Sequence, residues 1–412
     1  MLRSAGAAWL INKESFFQVP WVDELKLKLS IGQQGNDNVG DWAYIDLYSL
    51  SAVDETQMSA TFSRMGNPDI TWETTTNLNV GLEFSLFNRR LSGTLDFYNK
   101  KTTDLLFWLN IPESAGTRGY YDNIGDIRNR GVELTLQGSV IRTKDIDWSL
   151  SFNISHNKDE ILSLPESKVG VLGGYSADWK WYAVGGSIYN YMIPEYAGVD
   201  DKGQALYWVD ADMVNSTGAS DTNRPAKNHS YTTTDPNSAS RYLQGSSLPD
   251  VFGGFGTTLT AYGFDLSLTF DYQIGGKVYD ARYASLMSNI SGAGSAGNAI
   301  HVDALKAWTP NNTQSDIPRM QYMDQYTTAR SNRFMTSASY LNFQSFTVGY
   351  TLPKKWISRL GIENLRVYAS GENLCFWSAR KGLDPRYSYN ENTQVNVYSP
   401  VRTIMGGLQL TF

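Results

Sequence analysis

One cysteine, Cys375, stands in 412 residues, so no internal disulfide can form. Histidine is almost as scarce. His156, His229 and His301 lie far apart, and their spacing fits no metal site and no catalytic triad. Basic charge is not in excess: 35 Lys and Arg face 41 Asp and Glu, a net charge of −6, which excludes the electrostatic footprint of a nucleic-acid binder. No run approaches the roughly 18 to 20 apolar residues that a membrane-spanning helix requires. The opening stretch, Met1 to Ile11, has only a short apolar core before Asn12-Lys13-Glu14, and no cleavage pattern follows, so it reads as a strand rather than an export signal.

Aromatics and glycine are plentiful instead, with 25 Tyr, 12 Trp, 17 Phe and 36 Gly. They sit in a strong period of two. Phe264, Leu266, Leu268, Phe270, Tyr272 and Ile274 share one face; Asp265, Ser267, Thr269, Asp271 and Gln273 share the other. Side chains alternate across a strand, so the segment has one apolar and one polar wall. The pattern recurs from Leu78 to Leu86, Val132 to Val140, Trp148 to Ile154 and Ile404 to Phe412. About eleven such strands are predicted, near 3–12, 23–32, 74–87, 90–104, 128–141, 146–158, 252–262, 263–275, 337–352, 362–377 and 401–412. Soluble strands cluster near five or six residues, whereas a tilted strand needs about 9 to 11 to cross a bilayer.

The connections fall into two classes that alternate strictly. Links at 13–22, 87–90, 142–145, 262–263 and 353–361 are short; those at 33–73, 105–127, 159–251, 276–336 and 378–400 are long. Outer-membrane barrels have short periplasmic turns and long extracellular loops, and a soluble sandwich has no reason to keep its long loops at one end. Trp9, Trp108, Trp148, Tyr262, Tyr272, Tyr350 and Trp377 fall near predicted strand ends, where interfacial girdles sit. The expected fold is all-β: part of an antiparallel transmembrane barrel, with no plug domain. An odd strand number leaves the last strand unpaired, and bacterial single-chain barrels have an even number. The chain therefore reads as part of a longer protein.

Several segments carry a family resemblance: Trp9 to Phe17, Trp21 to Lys28, Gly32 to Gly40, Asn67 to Glu73, Gly125 to Leu134, Leu248 to Phe255, Gly275 to Tyr279, Tyr340 to Pro353, Ile362 to Asn373, Gly382 to Pro385, and Arg402-Thr403 with the terminal strand. In that order they resemble the SusC-like (RagA-like) TonB-dependent transporters of Bacteroidetes-type bacteria. The resemblance implies residues 1–412 as the C-terminal half of a barrel of about 22 strands, whose lumen a plug fills. It implies the cell outer membrane, import of oligosaccharides or peptides, a SusD-like surface lipoprotein as lid, and the TonB complex engaged through a missing N-terminal part. A passive porin-like or degenerate, non-transporting barrel is the alternative, and a soluble glycan-binding sandwich a third.

Sites are less legible. Loop aromatics pack on sugar faces, so Trp42, Tyr44, Tyr120, Tyr121, Tyr175, Trp179, Trp181, Tyr207 and Trp208 are the candidates for substrate or lid contact, with packing inside their own loops the alternative for each. The 159–251 loop, with a turn at Gly198–Gly203 and a short strand at Ala205–Trp208, is expected to form a lobe at the mouth. Asp200, Asp201, Asp210 and Asp212 lack the spacing of a calcium loop and read as a solvated acidic stretch, as do Asp37 and Asp41. No metal, no cofactor and no catalytic residue is assigned. Phe412 closes an alternating last strand and resembles the signal read by the barrel-assembly machinery.

Overall fold

The computed structural model describes residues 2–38, 41–52, 57–110, 119–169, 172–177, 179–216, 218–288, 297–324, 326, 329–387 and 400–412. Segments of all five long loops lie outside those residues, including Gly40.

Eleven strands form one antiparallel sheet in chain order: β1 (Ser4–Leu10), β2 (Val22–Asn36), β3 (Glu73–Leu86), β4 (Leu91–Thr103), β5 (Asp126–Arg142), β6 (Ile146–Ser163), β7 (Val251–Ala261), β8 (Phe264–Ile274), β9 (Tyr340–Thr351), β10 (Asn364–Ser378) and β11 (Thr403–Thr411). Each strand pairs with its sequence neighbours, the up-and-down order of a barrel wall. Every strand predicted from the period of two is present.

Register keeps like faces together. Leu268 lies between Thr257 and Phe346, and Phe270 between Phe255 and Phe343. The rings of Phe255, Phe270 and Phe343 stack at 4.8 and 4.5 Å. On the opposite face Asp271 accepts a hydrogen bond from Asn342 Nδ2 at 2.7 Å, and Asp265 accepts one from Arg366 Nε at 2.8 Å. Lys26 pairs with Glu83 at 3.1 Å on that same polar wall. Ion pairs and amide hydrogen bonds need a wet surface, and bare apolar rings need lipid, which assigns the first face to the bilayer and the second to the lumen.

The short turns use the chemistry their geometry demands. Tyr262 (φ 50°) and Gly263 (φ 90°) both take positive φ, the condition for the primed two-residue turn that matches strand twist. A Cβ at Gly263 would meet the Thr351 carbonyl oxygen at 2.8 Å. At the β3–β4 turn, Phe87, Asn88 and Arg89 share φ of 59°, and Phe87 stacks on Trp21 at 5.5 Å. Exposed Trp9, Trp21, Tyr262 and Trp356 cluster at this end.

Two expectations need correction. Strands β2 and β6 run to Asn36 and Ser163, beyond 32 and 158. The β2 tail is polar and the β6 tail sets Ile161 and Leu162 side by side after two acids, so neither shows the apolar alternation that the period of two registers. Trp108 is not at a wall-strand end: it lies in a loop hairpin (106–110 with 119–123), edge-on to Tyr121 at 5.1 Å.

Candidate substrate-binding mouth

The long loops fold at one end of the sheet. The largest, between β6 and β7, forms two small sheets: Gly174–Ala177, Lys180–Ala183, Asn190–Pro194 and Arg241–Ser246 in one, and Tyr196–Val199, Ala205–Val209 and Tyr231–Thr233 in the other. Alternation within these strands is short but real. Ala205, Tyr207 and Val209 point inward and are buried, while Leu206 and Trp208 are half-buried. The turn foreseen at Gly198–Gly203 is present. Asp200 Oδ1 closes it by accepting from the backbone N–H groups of Lys202 (2.9 Å) and Gln204 (2.6 Å).

Buried carboxylates hold the lobe in place. Asp159, at the outer end of β6, accepts from Ser187 Oγ at 2.6 Å and from the Ile188 N–H at 2.7 Å, and so ties the loop to the wall. Asp210 is 3% exposed and accepts backbone N–H bonds from Lys227 and Asn228 (both 2.9 Å) and Asp212 (3.1 Å). Burial alone would push its carboxyl up; the ring of backbone donors outweighs that and holds it below its ordinary value. Asp200 and Asp210 are thus turn and cap formers, and Asp210, expected in a solvated stretch, is buried because backbone N–H groups replace its water. Among the described residues no group of three or more His, Cys, Asp or Glu could hold a metal ion.

The β6–β7 lobe and the β8–β9 loop are one packed body. Tyr196 donates its N–H to Asn332 Oδ1 at 2.8 Å and its hydroxyl to the Asp316 carbonyl at 2.7 Å. The Tyr207 hydroxyl donates to the Tyr326 carbonyl. Arg319 reaches back to the Lys202 carbonyl at 2.9 Å. Trp179 meets Tyr279 edge-on at 5.0 Å, packed against a core of Tyr279, Ala284, Met287 and Phe334.

The nine loop aromatics separate by environment. Trp42 (59% exposed) and Tyr44 (50%) form a tilted pair at 6.2 Å on the surface of the β2–β3 loop. Tyr120 and Tyr121 share the 106–123 hairpin, which Asn67 joins to the β2–β3 loop through its bond to the Tyr121 carbonyl at 3.0 Å. Tyr175 stacks on Tyr182 at 5.0 Å. Trp208 packs beside His229 at 5.0 Å. Trp181 (8% exposed) and Tyr207 (1%) present almost no surface, and packing is what they are seen to do. Trp179 lines a cavity of about 490 Å³ together with Arg241, Arg330 and Tyr326. The two arginines escaped sequence reasoning, because an isolated arginine in a polar loop carries no periodic signal. Phe412 lies just past β11 and is 81% exposed.

A meandering wall with polar lumen, lipid-facing rings and a one-sided mouth is the architecture of an outer-membrane barrel. Residues 3–243 match the family model described as TonB dependent receptor-like, beta-barrel. The chain belongs to that family. Its curated relatives include TonB-dependent receptor P3 of Formosa agariphila (28% identical, covering 99% of this chain and 41% of the relative). TonB-dependent receptor SusC of Bacteroides thetaiotaomicron is also 28% identical, covering 99% of this chain and 40% of its own length. The chain thus spans about two fifths of the curated relatives it matches. Among solved structures it superposes on the RagAB peptide transporter with a TM-score of 0.79 at 28% identity, covering 100% of this chain and 43% of that one. The open-open state of the RagAB peptide importer gives 0.81. The protein is a SusC-like portion of an outer-membrane barrel, as the motifs from Trp9 to Phe412 imply.

Proposed function

We propose that residues 1–412 supply the C-terminal half of the barrel wall and the extracellular mouth of a TonB-dependent importer of oligosaccharides or peptides, and that the chain is not an enzyme. The observation that carries this reading is the fused mouth: two long loops from different hairpins pack into one shaped body above a polar lumen. A passive pore has less need of so elaborate an outer end. Loop 159–251 serves as the lobe that meets a SusD-like lipoprotein lid, with exposed Trp42 and Tyr44 as further contact points for substrate or lid. Coupling to the TonB complex would pass through a plug that these residues do not include.

Uptake of labelled oligosaccharides and peptides by cells carrying the whole receptor tests the proposal. Import should stop when the proton motive force is collapsed and when the lipoprotein is removed. Uptake that persists after uncoupling would replace the importer with a passive pore.

A further inference from the structure

The cavity between the β6–β7 lobe and the β8–β9 loop is lined by Trp179, Met192, Ile193, Pro194 and Pro236 on its apolar side, and by Thr222, Asn237, Arg241 and Arg330 on its polar side. Among its described lining residues there is no Asp or Glu. That is against the composition of the chain, in which acids outnumber bases 41 to 35.

Arg241 opens the strand Arg241–Ser246 and is paired in register with Pro194, so its backbone is fixed. Its side chain is half-buried. Burial pulls the guanidinium below its ordinary pKa, and no acidic neighbour offsets the pull. The acids next in sequence to the lining residues Pro194, Thr222 and Pro236 are committed elsewhere. Glu195 accepts from Gln244 at 2.9 Å and faces His229 at 3.3 Å. Asp221 pairs with Arg224 at 3.3 Å. Asp235 caps its own turn through Asn237 and Ser238. Among the described residues none pairs with the Arg241 side chain. Arg330 adds a second positive charge, its guanidinium lying over the Trp179 ring.

A partly desolvated guanidinium without a counter-ion is costly unless a ligand provides one. Its planar fork suits a carboxylate, which it binds in two parallel hydrogen bonds. The apolar wall beside it lowers the local dielectric and strengthens such a contact. The volume, about 490 Å³, is that of a small-ligand pocket and admits one or two units of an oligomer.

We propose that this cavity seats a carboxylate group of the incoming oligomer, with Arg241 as its fixed counter-charge and Arg330 as a second cation at the site. The proposal rests on the import reading only in taking the carboxylate from the transported molecule. That group can come from a uronic-acid sugar or from a peptide, and the two sources share the same chemistry at Arg241.

The test is calorimetric binding to the whole receptor purified in detergent. The probes are an oligogalacturonate and its neutral methyl ester, and an Asp/Glu-rich hexapeptide and its neutral Asn/Gln counterpart with an amidated C-terminus. At least one acidic probe should bind ten-fold or more tightly than its neutral form, and which pair shows the difference identifies the source. Arg241→Gln should abolish that preference, weakening the acidic form by ten-fold or more and the neutral form by much less. Arg241→Lys, which keeps the charge without the fork, should give an intermediate preference. Equal binding of acidic and neutral forms, absence of binding by both acidic probes, or an Arg241→Gln effect of the same size on both forms would overturn the proposal. Because binding is read without transport, a receptor that binds the acid but imports nothing would refute the import reading and leave the cavity assignment standing.

Discussion

Leu268 and Thr269 are adjacent in β8, near the middle of an eleven-residue strand, and they point to opposite faces. Leu268 sits in register with Phe346 on the ring-bearing face; Thr269 sits beside Gly256 and Ser345 on the face that carries the Asp271–Asn342 bond and the Asp265–Arg366 pair. Arginine at 268 would place its charge in hydrocarbon at mid-strand, at a cost of about 2 to 4 kcal/mol. Since about 1.4 kcal/mol is ten-fold in an equilibrium, the folded and inserted population should fall by roughly 30- to 700-fold relative to the unfolded one. Arginine at 269 would meet water and the Asp271 carboxylate nearby, and should cost within about 0.5 kcal/mol, as for a typical surface change. The assay is denaturant titration of the receptor refolded into lipid vesicles, read by heat-modifiable gel mobility. Leu268→Arg should shift the midpoint strongly and Thr269→Arg hardly at all. Equal shifts would refute the facing assigned to the whole sheet, because register transmits one strand's facing to its ten partners.

Four further outcomes concern the mouth and Phe412. Asp210→Asn puts an amide donor among three backbone N–H groups and should destabilise the lobe by about 1 to 3 kcal/mol, read as faster proteolysis within 164–250. The carboxyl is depressed in the folded state, so its contribution is complete above the unfolded carboxylate pKa of about 3.9 and is lost as pH falls through the lower folded value; wild-type lobe cleavage should accelerate only below about pH 4. Tyr207→Phe leaves the Tyr326 carbonyl with only the Ala329 N–H as donor and should cost about 0.5 to 1.5 kcal/mol, speeding hydrogen exchange at Ala329 and Arg330 while β8 stays protected. Removing Phe412 should slow insertion by the assembly machinery without changing the stability of barrels already inserted; an unchanged insertion rate would mean the exposed terminal ring is no signal.

The wall was legible in the sequence because it obeys one rule throughout. A strand with lipid on one side and water on the other must alternate, and β8 shows it residue by residue. The tail of β2 escaped because above the bilayer both faces are wet, so Gln33 and Gln34 carry no period; that of β6 escaped because Ile161 is buried against the lobe and breaks the alternation with its neighbour Leu162. The mouth was harder for the same reason. Its strands are three to seven residues long, and its packing joins residues more than a hundred positions apart, as Tyr196 with Asp316 and Tyr207 with Tyr326. Nothing local separates the exposed Trp42 from the buried Trp181, since both are aromatics in polar loops. Arg241 gains its character only from the cavity around it.

The interlocking of the β6–β7 lobe with the β8–β9 loop also bears on how such receptors diversify. Tyr196, Tyr207 and Arg319 stitch across from one loop to the other, over the β7–β8 hairpin that separates them. Neither loop can be exchanged alone without stranding half of a shared core. Recombination or design that retargets this barrel should therefore transplant 164–250 and 275–339 as a matched pair, and a chimera carrying only one of them should fold its wall and lose its mouth.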